Sequence, residues 1–116
     1  MVVTSRKTEK ATILDLSGRL GLGEAVETFR NNFQELLASG EKNIAINLTG
    51  VPFIDSSGIG ALVGAFTMAE SKGAKCLFYG PSPQVKSALH VSRLEDILNP
   101  FSDEKSALAG LEAPSP

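Results

Sequence analysis

The sequence predicts an α/β fold: a single domain built on a mixed central sheet, with an antiparallel N-terminal strand pair and about four helices. Three observations carry that prediction. The chain has 116 residues, 42% of them hydrophobic, which supports one modest core and leaves too little apolar surface for a second. Two short extended stretches at the N-terminus are separated by a brief polar connection. Beyond residue 23, stretches of helical period alternate with short strand-like runs, the pattern of parallel strands joined by right-handed helical crossovers.

Residues 2–6 and 11–16 read as strands joined through Lys7, Thr8, Glu9 and Lys10, and therefore as a hairpin. Over 24–38, Val26, Phe29, Phe33, Leu36 and Leu37 recur at three- and four-residue steps, which gathers them on one face of a helix that Ser39-Gly40 ends. Residues 43–48 read as a central strand with Ile44, Ile46 and Leu48 on one side and Ala45 on the other. Asp55, Ser56 and Ser57 then offer three capping side chains to a helix whose stripe is Ile59, Leu62, Val63 and Phe66, running to Lys72-Gly73. On that helix Gly60 and Gly64 lie four apart, a spacing that would admit close packing on the sheet. A strand over 75–79 follows, then a helix capped by Ser82 with Pro83 in its first turn and Val85, Ala88 and Leu89 inward. A short strand is predicted over 97–101. Ser102-Asp103-Glu104 opens a last helix with a thin apolar face of Ala107, Leu108 and Leu111. The domain thus spans 1–111, and 112–116 reads as a disordered C-terminal tail.

Composition narrows the function. A formal charge of −2 with no Lys/Arg block supplies no basic surface for nucleic acid, so the expected partner is a protein or a small molecule. The one cysteine, Cys76, sits in an apolar run and reads as a buried strand residue, so no internal disulfide or multi-cysteine metal site is expected. No run approaches the roughly 18 apolar residues that span a bilayer, and a cytoplasmic protein without membrane insertion is the expectation. No cofactor or metal is expected. His90 reads as a partly exposed residue at a helix end, and Glu24, Glu27, Asp103 and Glu104 read as complements to helix macrodipoles. Phe29, Phe33 and Phe66 belong to apolar stripes, leaving Tyr79 as the aromatic expected to reach the surface.

One segment carries unusual chemistry. Residues 48–62 place Asp55-Ser56-Ser57 at a turn entering a helix, where unpaired N–H groups and the macrodipole favour negative charge. A phosphate on Ser56 would sit in a receptive place, although Asp55 would repel it. The larger effect would fall on a docked partner, which would have to desolvate a dianion at a cost of several kcal/mol. Three other readings compete. The hydroxyls could serve only as a helix cap. Gly58-Ile59-Gly60 with Gly64 loosely follows a dinucleotide fingerprint, but Phe78-Tyr79-Gly80 stands where an acidic ribose ligand belongs. Serine hydrolase chemistry needs a base near the nucleophile, and His90 lies far along the chain.

The run Phe53-Ile54-Asp55-Ser56-Ser57-Gly58-Ile59-Gly60-Ala61-Leu62 resembles the signature of STAS domains of the anti-sigma factor antagonist family, and the element order over 2–111 agrees with it. The resemblance implies a non-enzymatic, STAS-like phosphoprotein of bacterial stress-response transcription control. It makes Ser56 the phosphorylation site, with Ser57 as second choice, and has Gly58 and Gly60 let the helix start approach closely. The expected partner surface is Asp55, Ser56, Ser57, Gly58 and Ile59 with Gly21 from the loop over 18–23, which should lie close because it too leads from a strand's end into a helix, the edge that ligands favour. The implied partners are an anti-sigma factor that is also a serine kinase, released on phosphorylation, and a metal-dependent serine phosphatase that restores binding. Where many relatives carry a Gly-Glu-Leu-Asp-like stretch, this chain reads Gly18-Arg19-Leu20-Gly21, a difference that bears on partner identity. A non-switching scaffold domain of a sensory or transport assembly, and a nucleotide-binding domain using the glycine-rich turn, are the alternatives.

Overall fold

Thr8 closes the N-terminal hairpin. In the computed structural model, which describes residues 1–112, β1 (Val2–Lys7) runs antiparallel to β2 (Thr12–Ser17). The Thr8 Oγ1 accepts from the Lys10 and Ala11 N–H groups, and the Thr8 N–H donates to the Ala11 carbonyl at 2.8 Å, so the chain reverses without glycine. Helix α1 (Glu24–Ala38) leads to β3 (Asn43–Gly50), and α2 (Ser56–Ser71) to β4 (Lys75–Tyr79). The sheet order is β1-β2-β3-β4, with β2, β3 and β4 parallel. Helices α3 (Pro83–Val91), α4 (Glu95–Leu98) and α5 (Glu104–Glu112) complete the fold.

Alternation along β2 and β3 gives the sheet two apolar faces. Leu14, Leu16, Ile44, Ile46 and Leu48 enter a large core with Phe29 and Phe33 of α1, Leu62 of α2, and Val85 and Leu89 of α3. Burying each such side chain contributes roughly 1.5–3 kcal/mol. Ile13 and Ala45 face the other way, into a smaller cluster with Tyr79 and with Ala107 and Leu111 of α5. The division of β3 between its Ile/Leu side and Ala45 is the one the sequence predicts. Phe29 and Phe33 pack with ring centroids 6.0 Å apart, and Phe66 packs against the edge of the same core. Cys76 is buried on β4, where desolvation pushes its thiol pKa upward.

Three expectations change. The strand over 97–101 shrinks to one bridge between Tyr79 and Phe101, and a fifth helix, α4, takes its place. The Leu98 N–H bonds to the Leu94 carbonyl at 2.9 Å, which turns the buried Leu98 into the main core from a helical turn. Asn99 follows in the left-handed region at φ 40°, and Pro100 has no N–H for a ladder, so pairing starts only at Phe101. Tyr79 does not reach the surface: α5 covers it, and its hydroxyl donates to Glu104 Oε1 at 2.9 Å. Gly60 and Gly64 do not pack on the sheet, because both are exposed with open space where a Cβ would stand. The tail predicted over 112–116 lies outside the described residues apart from Glu112, which ends α5.

Candidate functional site

Two loops converge beyond the C-terminal ends of β2 and β3, the edge at which open α/β sheets present their loops. Leu20 and Ile54 form an isolated parallel bridge. The Leu20 N–H donates to the Phe53 carbonyl at 2.9 Å, and the Asp55 N–H donates to the Leu20 carbonyl at 3.4 Å. These bonds continue the strand pairing and lay the 18–23 loop against the start of α2, as the sequence predicts. Gly58 makes the approach possible, since a Cβ there would run into the Leu20 carbonyl oxygen and the Ile54 side chain. Arg19 extends over the Phe53 ring, its guanidinium carbon 4.4 Å from the centroid.

Asp55 caps α2 from an extended backbone, its Oδ1 accepting the Gly58 N–H at 3.0 Å. Its Oδ2 accepts the Leu22 N–H, also at 3.0 Å. The bond from Gly58, then the one from Leu22, holds the Asp55 carboxyl below the usual carboxylate range. Gly21 lies against the same group, with the position of a Cβ only 2.8 Å from Oδ2.

Ser56 is the first residue of α2 and is exposed, so its hydroxyl stands at the positive end of a 16-residue helix. Asp55, Ser57 and Gly21 are half-buried, whereas Gly58 and Ile59 are buried. Of the predicted docking residues, Gly58 therefore shapes the surface from beneath, and Ile59 reaches only the border of a groove. That groove, of about 420 Å³, runs beside Ser56 between α2 and α3, with Ile54, Ala88 and Val91 among its lining. Gln84 holds its floor, with Oε1 accepting the Ile54 N–H at 2.9 Å and Nε2 donating to the Ile54 carbonyl at 3.2 Å. Leu22 is 84% exposed and Val91 77%, so both flanking elements present a large apolar side chain to solvent. Leu22, Gln84 and Val91 were not singled out by the sequence. Only Val91 had a local signal, an apolar residue off the stripe of its helix.

Among the described residues, no group of three or more His, Cys, Asp or Glu is placed to hold a metal ion. His90 pairs with Glu95 at 2.7 Å and lines a neighbouring depression that meets the Ser56 groove at Ser87. No helix among the described residues is long and apolar enough to cross a membrane. What the arrangement offers chemically is an open hydroxyl with a positive helix end behind it and apolar ground beside it.

The chain is 31% identical over 74 residues to an anti-sigma F factor antagonist of Paenibacillus polymyxa, a match spanning 64% of this chain and 63% of that relative, under two thirds of its length. It is 27% identical over 100 residues to the anti-sigma F factor antagonist of Lysinibacillus sphaericus, covering 85% of each. Its fold superposes on the anti-sigma factor antagonist SpoIIAA in its unphosphorylated form with a TM-score of 0.77 at 22% identity, over 99% of this chain and 100% of that one. SpoIIAA of Bacillus in its phosphorylated form superposes with a TM-score of 0.71 at 23% identity, over 96% and 100%. The STAS domain family model matches residues 3–107, and with that span matched the chain belongs to the STAS domain family.

Proposed function

We propose that this domain is an anti-sigma factor antagonist that binds an anti-sigma serine kinase while Ser56 is unmodified and releases it once Ser56 is phosphorylated. The observation that carries the reading is the exposed Ser56 hydroxyl at the start of α2, bordered by a groove and by the exposed Leu22 and Val91. Two relatives named as anti-sigma F factor antagonists, and the likeness to SpoIIAA in both phosphorylation states, support it.

The kinase transfers the terminal phosphoryl group of a nucleoside triphosphate to Ser56 Oγ, the hydroxyl proton passes to a base of the kinase, and the diphosphate leaves. A metal-dependent serine phosphatase hydrolyses the ester with water, which restores the hydroxyl and frees inorganic phosphate. The domain spanning 1–111 is thus the substrate and not the catalyst, and it works in the bacterial cytoplasm. Binding switches because the apolar ground beside Ser56 is buried readily against a partner when the hydroxyl is neutral. A phosphate adds about 1.5 to 2 negative charges, which the partner would have to strip of water.

Isolation of the chain from its own cells, with phosphosite mapping, tests this reading. Phosphate on Ser56, together with capture of an ATP-binding anti-sigma factor by wild type but not by Ser56→Asp, is the expected result. Capture of the same assembly by both forms, with Ser56 unmodified, would favour a scaffold domain.

A further inference from the structure

We infer that Asp55 is a positioning residue that ties the β2–α1 loop to the start of α2, setting where Leu22 stands and carrying a charge placed on Ser56 into that loop. A helix cap needs one carboxylate oxygen, and Oδ1 fills that role with the Gly58 N–H. The second oxygen does something a cap does not require: it reaches the Leu22 N–H from 33 residues away in sequence. Gly21 independently marks the same contact. Its φ lies outside the left-handed region, so glycine is not needed there for its backbone; it leaves room for the carboxylate, whose Oδ2 and Cγ would lie 2.8 and 3.3 Å from a Cβ.

Leu22 has little else to hold it. Its side chain is exposed, and the neighbouring loop bonds belong to Leu20 on one side and to the first turn of α1, where the Glu27 N–H meets the Gly23 carbonyl at 3.4 Å, on the other. Where Leu22 points is therefore governed by the Asp55 bond. A phosphate on the adjacent residue would repel the carboxylate and compete for the N–H groups at the start of α2. Of the two Asp55 bonds, the one to Gly58 is aimed by the helix turn itself, so the one to the loop is released. The charge-transmission half of this inference rests on the reading of Ser56 above; the positioning half does not.

Amide hydrogen exchange on the isolated full chain, followed by NMR, tests both halves without any partner. Four forms are compared: wild type, Asp55→Asn, Gly21→Ala, and the chain with phosphoserine installed at 56 during synthesis. Asn remains a good cap, and its amide nitrogen cannot accept the Leu22 N–H. Leu22 protection should fall at least about tenfold in Asp55→Asn and Gly21→Ala, while Gly58 and the Ile46 amide in the central strand keep theirs. The phosphoserine form should show the same loss at Leu22. Unchanged Leu22 protection in both variants would overturn the positioning role. Loss in the variants but not in the phosphoserine form would overturn the transmission of charge. Failure to find a kinase partner would leave these exchange rates as they are, so it bears only on the proposed function.

Discussion

Two glycines in the first two turns of α2 have opposite consequences for the domain. At Gly58 an added methyl group would meet the Leu20 carbonyl, a backbone atom that cannot step aside without parting the two loops. Gly58→Ala should therefore destabilise the fold by about 1–3 kcal/mol. At Gly60 the space is open and the position is helical, so Gly60→Ala should stabilise by about 0.5–1 kcal/mol. Denaturant unfolding of the two variants checks the pair, and the same sign for both would contradict the packing described. The sequence marks Asp55 and Ser56 as a helix start, because capping chemistry is local. It does not reveal which of the neighbouring glycines is crowded. That depends on Leu20, which precedes Gly58 by an entire helix and strand. Leu22 and Gln84 were invisible for the same reason: an exposed leucine in a loop and a glutamine in a helix's first turn acquire meaning only where separate loops converge.

At the scale of elements, the sheet's second face is closed by α5, whose apolar contribution is thin: over 104–111, Ala107 and Leu111 are its buried residues. An ion-pair network supplements it. The Arg6 guanidinium donates to Asp15 Oδ2 at 2.7 Å and to Glu104 Oε1 at 2.6 Å, Tyr79 donates to the same Glu104 oxygen, and Asn47 donates to Asp15 Oδ1 at 2.7 Å. Arg6 is the first cause holding both carboxyls below their ordinary range. With folded-state values depressed, the stability they contribute is fully present above the ordinary carboxylate range and is lost as pH falls through the depressed values. Denaturant midpoints measured from neutral pH down to about pH 3 should fall in the wild type, and Arg6→Gln should flatten that fall. An equally steep loss in the variant would show that the acid sensitivity lies elsewhere. Periodicity made most elements legible, from α1 through α3, because each carries a long apolar stripe or a strand alternation. The last helix was legible from its acidic start, but the segment over 97–101 read as a strand and not as a helix, since the four-residue helix there is imposed by Leu98 reaching the core and by Asn99-Pro100 behind it. The Arg6–Glu104 contact, between residues 98 apart in sequence, leaves no local trace either.

At the scale of the whole molecule, the sheet separates tasks. One face carries the large core against α1, α2 and α3, the other is sealed by α5, and the convergent loops at the strand ends carry Ser56. Ser56 is itself exposed at the start of α2, so the fold should survive modification with little change in unfolding midpoint while a docked surface does not. The central claim is that switch, and the affinity of the captured anti-sigma factor tests it most directly. Isothermal titration of that protein with the unmodified domain and with its Ser56-phosphorylated form should give affinities differing by at least about a hundredfold. That ratio follows from a desolvation cost of several kcal/mol at about 1.4 kcal/mol per tenfold. Equal affinities for the two forms would contradict the account.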